Sequence, residues 1–191
     1  MTDLGAAGTA SRPTRAVVLT GPECSGKTSL ARALAEAFAA PWTPEAARLV
    51  AERSAEPLSA DTVAPIARLS MQLEDEALAD GPALLVRDTD LVSTVVYARH
   101  YYGTVAPWIL AKAKERLADL YLLCEPDLPW SADGVRDRPE QRHELHAEFA
   151  RMLDSMGARV AVVRGTGEAR THLAIAAVRA FLDRSARAPE R

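Results

Sequence analysis

Apolar residues recur along the chain in two alternating rhythms: short solid runs, and longer stretches with a hydrophobic position every three or four residues. Ala16-Val17-Val18-Leu19-Thr20 is a solid, partly β-branched run ended by Gly21-Pro22, the mark of a strand buried on both faces. Thr28 to Ala39 then sets Leu30, Ala33, Leu34, Ala37 and Phe38 at helical spacing and stops before Pro41. The pattern next predicts a short strand at Trp42-Thr43, a helix over Glu45 to Arg53 and a long helix over Asp61 to Ala79. Ala83-Leu84-Leu85-Val86 and Leu120-Tyr121-Leu122-Leu123 read as strands, separated by helices over Leu91 to Tyr101 and Val105 to Leu117. Leu145, Phe149, Met152, Leu153 and Met156 stripe one more helix before a last strand, Val160-Ala161-Val162-Val163. The final helix carries Leu173, Ala176, Ala177, Ala180 and Phe181 on one face. These stripes predict core.

Strands alternating with helices predict an α/β fold of three layers, with a mostly parallel five-stranded sheet covered on both sides. Ligands of such sheets sit at the carboxyl ends of the strands. Met1 to Thr14, rich in Gly, Ala, Ser and Thr without periodicity, reads as a disordered leader. One domain is expected over 15–184, with a frayed tail from Ser185 to Arg191.

Composition narrows the function. The formal net charge of -3, from 23 Lys+Arg against 26 Asp+Glu, argues against a nucleic-acid backbone or an anionic membrane as the main partner. No apolar run approaches the ~18 residues of a membrane helix, and the first residues lack the build of a signal peptide. Cys24 and Cys124 have no metal-ligand spacing, which predicts free thiols in a reducing, cytoplasmic setting.

The strongest motif is Gly21-Pro22-Glu23-Cys24-Ser25-Gly26-Lys27-Thr28, which matches GxxxxGK[ST] and lies between a predicted strand and helix, as the pattern requires. Its glycines let backbone N–H groups curl around phosphate oxygens, and the helix that follows, opening with Lys27, Thr28 and Ser29, adds its positive dipole end. Lys27 reaches the β- and γ-phosphates in such loops, and the Thr28 hydroxyl ligates Mg²⁺. The guanine-specifying NKxD pattern is absent, which favours ATP as the donor.

Three carboxylates follow. Asp88 ends the run Leu84-Leu85-Val86 and is expected to project toward the phosphate loop, to hold Mg²⁺ or take a proton from an attacking hydroxyl. Asp88 and Asp90 equally suit the start of a helix, as caps. Glu45 ends the second strand, where with Arg48 it would grip a substrate hydroxyl or simply complement its helix dipole. Glu125 to Arg142 is polar and Pro-rich yet holds Trp130, Asp133, Arg136 and Arg138, the composition of a lid whose arginines stabilise phosphoryl charge or of a solvated loop. His100, His143, His146 and His172 lack zinc-site spacing and read as surface residues.

Taken together, the phosphate loop, Pro44-Glu45-Ala46-Ala47-Arg48, Asp88-Thr89-Asp90, Asp119 to Leu123, Pro126 to Trp130 and Asp133 to Asp137 resemble, in order, the NadR-type ribosylnicotinamide kinase domain of P-loop proteins. The resemblance runs from about Arg15 to Leu182 and implies ATP- and Mg²⁺-dependent phosphorylation of nicotinamide riboside to nicotinamide mononucleotide, a step of NAD salvage, by a stand-alone kinase module. It implies Lys27, Asp88, Glu45 and Arg136 as catalytic residues, and places Trp130, Asp133, Asp90 and Arg48 on the acceptor side and Arg138 and Arg170 on the nucleotide side. Cys24 stands where the family pattern has Ser. Two other functions fit the same scaffold: a kinase for another nucleoside or metabolite, and a regulatory ATPase or nucleotide switch with no small-molecule acceptor.

Overall fold

The computed structural model describes residues 13–54, 56–130 and 139–187. Five strands, β1 (Arg15–Thr20), β2 (Trp42–Thr43), β3 (Leu84–Asp88), β4 (Leu120–Cys124) and β5 (Val160–Val163), form one sheet in the order β2-β3-β1-β4-β5. Every pairing is parallel, so the sheet is fully parallel rather than mostly so. The connecting helices are α1 (Lys27–Phe38), α2 (Ala46–Arg53), α3 (Val63–Leu78), α4 (Leu91–Tyr102), α5 (Pro107–Glu115), α6 (Arg142–Ser155) and α7 (Gly167–Arg187).

Alternation along the strands divides the core in two. Val17 and Leu19 of β1, with Leu120 and Leu122 of β4, pack against Leu30 and Leu34 of α1 and Val178 and Phe181 of α7. Val18, Tyr121 and Leu123 face the opposite layer, built from Val92 and Val95 of α4, Ile109 of α5 and Leu145 and Phe149 of α6. This is why the buried strands read as solid apolar runs. At the edge, β5 leaves Val160 and Val162 partly exposed.

Several boundaries differ from the sequence reading, two of them for a clear local reason. The helix expected from Asp61 starts as a 3₁₀ turn over Ala60–Thr62, where Ser59 and Thr62 form a capping box, before α3 begins at Val63. α5 starts at Pro107 rather than Val105, because proline suits a first helical position. α7 runs on to Arg187, into the stretch read as a frayed tail. β1 lies between β3 and β4, so the chain turns opposite ways on its two sides and opens a crevice at its carboxyl end.

Candidate active site

The loop after β1 occupies that crevice. Gly21 has φ +130°, and a Cβ there would meet the Cys124 carbonyl oxygen at 2.7 Å, so only glycine lets the loop lie this close to β4. Gly26, at φ +77°, precedes α1 and brings no side chain to its end, which leaves the first-turn N–H groups for a ligand. Lys27 is buried and donates to the Pro22 carbonyl at 2.7 Å, as does the Ser25 hydroxyl. The loop is thereby closed into an arch with its cation inside. Ser29 is exposed on the first turn of α1.

Two buried arginines brace the arch from outside. Arg142 donates to the Leu128 and Cys24 carbonyls, each at 3.1 Å. Arg170 donates to the Ser25 carbonyl at 2.8 Å, the Glu125 carbonyl at 3.1 Å, the Gly165 carbonyl at 2.9 Å and Asp127 Oδ1 at 2.5 Å. Arg170, expected beside the nucleotide, thus holds the loop to the ends of β4 and β5. Arg142 was not among the expected site residues, and a guanidinium that collects backbone carbonyls looks in sequence like one that binds phosphate.

Asp88 faces the arch from the end of β3. The Thr28 hydroxyl donates to its Oδ2 at 2.5 Å. Its Oδ1 is buried with no hydrogen-bond partner among the described residues. Burial first, and then the Glu45 charge, push the Asp88 carboxyl up to about 6, against the Lys27 cation, the Thr28 hydrogen bond and the Arg48 cation. A hard divalent cation takes oxygen ligands, and the Thr28 hydroxyl with an orphaned carboxylate oxygen fits Mg²⁺.

Asp90 takes the other role foreseen for it. Its Oδ1 accepts from the Val92 and Ser93 N–H groups, capping α4, while Oδ2 accepts from the Tyr121 hydroxyl at 2.6 Å. Both oxygens are therefore engaged inside the protein, which corrects its placement as an acceptor ligand. Between the two aspartates Thr89 has φ +70°, a conformation that costs a β-branched residue on the order of 1–3 kcal/mol.

Beside this junction a pocket opens between α2, α3 and α4, lined by Glu45, Thr62, Thr89, Ser93, Thr94, Tyr97, Tyr101 and Tyr102 among others. Glu45 is the residue before α2 and makes no side-chain cap, so it belongs to the pocket wall rather than to the helix end. Tyr97 and Tyr101, one helical turn apart, stack with centroids 6.1 Å apart and planes 3° from parallel. The Tyr101 hydroxyl donates to Glu23 Oε1 at 2.7 Å and that of Tyr97 to the Gly21 carbonyl at 3.1 Å, so the phosphate loop is tied to the pocket wall.

The aromatic wall corrects a second expectation. Trp130 does not line the pocket; its ring lies 5.7 Å from the Arg142 guanidinium, on the phosphate-loop side. The tyrosines of α4 replace it, and the signal that could have found them is their one-turn spacing on the helix that follows Asp88. His100, read as a surface residue, is half-buried with only 7% of its side chain exposed, its ring nitrogens at 3.1 Å from Glu148 and 3.0 Å from Gln141. Asp133, Arg136 and Arg138 lie outside the described residues.

The two thiols differ sharply. Cys124 is fully buried, and burial pushes it up to about 11, whereas Cys24 is half-exposed in the loop at φ +52°. Maleimide is expected to label Cys24 well before Cys124, and saturating Mg·ATP to slow that labelling by covering the loop. Labelling indifferent to ATP would argue against nucleotide at this arch.

Residues 16–170 match the family described as AAA domain. Over 129 residues the chain is 32% identical to the trifunctional NAD biosynthesis/regulator protein NadR of Escherichia coli K12, covering 64% of this chain and 31% of that protein. The Salmonella typhimurium NadR matches with the same identity and coverage. Among solved structures, NadR in complex with NR superposes with a TM-score of 0.75 at 26% identity, covering 88% of this chain and 50% of that one. A thymidylate kinase from Ehrlichia chaffeensis, at a TM-score of 0.61 and 12% identity, covers 89% of this chain and shares the fold. The chain spans about a third of the curated NadR proteins and half of the solved NadR chain. With its arch, its Asp88 and these likenesses, the chain belongs to the AAA-domain family of P-loop proteins and is similar to NadR over most of its length.

Proposed function

We propose that this protein transfers the γ-phosphoryl group of ATP to the 5'-hydroxyl of nicotinamide riboside, releasing ADP and nicotinamide mononucleotide. The observation that carries this reading is the charge of the pocket: among the described residues its lining holds the carboxylates of Glu45 and Asp90 and three tyrosines, and no Lys or Arg. A nucleoside monophosphate would bring about two negative charges against the carboxylates of that lining, with the Arg48 cation outside it, and burying charge without a close partner costs several kcal/mol. A nucleoside has no such charge. Nicotinamide riboside adds a cationic pyridinium ring, which tyrosine faces and nearby carboxylates attract by ~0.5–2 kcal/mol relative to a neutral base. The NR complex of the NadR relative supports the same class.

The residues divide the work by position. The arch and the start of α1 hold the donor phosphates, and Lys27, released from the Pro22 carbonyl, spreads the charge that builds on the transferring group. Thr28 and Asp88 hold Mg²⁺, which when bound neutralises phosphate charge. Glu45 with Arg48 orients the acceptor hydroxyl. Asp88, at the junction of the arch and the pocket, or Glu45 on the pocket wall takes its proton.

A coupled ADP-release assay over a panel of nucleosides and their monophosphates tests this. Nicotinamide riboside is expected to show the highest kcat/KM. Preference for a monophosphate or an uncharged nucleoside would overturn the substrate assignment, and ADP release indifferent to every acceptor would replace the kinase by an ATPase.

A further inference from the structure

We infer that Thr89 is the residue that positions the acceptor hydroxyl, an inference that rests on the pocket being the acceptor site. The starting point is its backbone. A threonine at φ +70° sits where side chains with a branched Cβ are rarely found, and glycine or asparagine would occupy the same conformation with less strain. The surroundings hold it there. On one side Asp88 is fixed by Thr28, on the other Asp90 is fixed by the α4 N–H groups and Tyr121, and the Thr89 N–H itself donates to the Leu19 carbonyl at 3.0 Å. Strain maintained by so many anchors points to a use for the side chain rather than for the turn.

The consequence of the turn is directional. It ends β3 and starts α4 within two residues, so Asp88 faces the phosphate arch while the half-buried Thr89 lines the acceptor pocket. Thr89 follows Asp88 directly in the chain and shares the pocket wall with Glu45. It can donate to the oxygen of a bound acceptor, or accept from it, and hold it toward the donor. Glycine would make the turn more easily but would bring no hydroxyl.

Three variants separate this role from a structural one. Thr89→Val keeps shape and branching and removes only the hydroxyl; it is expected to lower kcat/KM for the acceptor about 10-fold, the scale of one lost hydrogen bond in a desolvated site, with the KM for ATP within about 2-fold of wild type. Thr89→Ser keeps the hydroxyl and is expected to stay within about 3-fold. Thr89→Gly relieves the strain and is expected to unfold at or above the wild-type temperature while showing the same acceptor defect as Thr89→Val, which keeps the test valid should the valine variant fold poorly. The acceptor used is whichever nucleoside wild type phosphorylates fastest, so an unexpected preference overturns the nicotinamide riboside assignment without touching Thr89. Wild-type acceptor kinetics in both Thr89→Val and Thr89→Gly would overturn the positioning role. Absence of any acceptor turnover in wild type would overturn it together with the acceptor reading.

Discussion

Lys27→Ala and Asp88→Asn are each expected to lower kcat by about 10²-fold or more, with smaller changes in either KM, because both groups act mainly on charge and protons that shift in the transition state. For Lys27 the structure adds a reason: in the absence of ligand its ammonium is held by the Pro22 carbonyl, so substrate binding gains little from it until phosphate competes for that contact. For Asp88 the same substitution carries a second, opposite signature. Its folded-state pKa is about 6, above the unfolded carboxylate range, so the group favours folding only while protonated and burdens it as pH rises through 6. Ionised Asp88 costs on the order of 3 kcal/mol at pH 7 at the conversion of about 1.4 kcal/mol per pKa unit. Asp88→Asn is therefore expected to be more stable than wild type in chelator-treated protein above pH 6, with the difference closing as pH falls toward 4. Kinetics and thermal unfolding across pH measure both. Near-normal turnover in Asp88→Asn would move the proton-accepting role to Glu45, and a stability gap that does not grow with pH would contradict the buried, ionisable Asp88 described here.

Such a trade between stability and activity is visible in sequence only in part. The arch and α1 were legible because their determinants are local: the glycines, the lysine and the strand before them lie within fourteen residues, from Arg15 to Thr28. Asp88 was legible for the same reason, as the first polar acid at the end of an apolar run. The pocket between α2, α3 and α4 was not. α4 buries residues on most of its faces, Leu91, Val92, Ser93, Val95, Val96, Tyr97 and Ala98 among them, so its periodicity gives no contrast to mark the tyrosine face. Only the packing of α2 and α3 beside it decides that this face borders a pocket. Arg142 and Arg170 are a similar case. Their partners, the Cys24 and Ser25 carbonyls, lie 118 and 145 residues away, and a carbonyl ligand leaves no trace in the identity of the residue that carries it. Trp130 was misplaced because its surroundings depend on Arg142, which takes the indole to the phosphate-loop side.

Glu74→Ala is expected to destabilise the protein by about 3–5 kcal/mol, the largest stability loss the structure identifies. The cause lies next to Asp88. Arg87, the residue before Asp88, points its side chain into the interior with 2% exposure, and Glu74 of α3 meets it at 2.9 Å. Arg116 then pairs with Glu74 at 3.2 Å and with the more exposed Asp75 at 2.7 Å, so charge alternates from the core to the surface. Removing Glu74 strands the Arg87 guanidinium, which is always protonated and pairs with no second carboxylate among the described residues. Against a total stability of roughly 5–15 kcal/mol for an ordinary domain, that loss is a fifth or more. Replacing both partners by apolar residues of similar size, as in Glu74→Leu with Arg87→Met, is expected to recover most of it, since the penalty comes from the unpaired charge rather than from the missing attraction. Urea unfolding at pH 7 reads both variants. A single Glu74→Ala variant within about 1 kcal/mol of wild type would mean that water reaches Arg87, and would remove the support this chain of charges gives to the end of β3, where Asp88 and Thr89 stand.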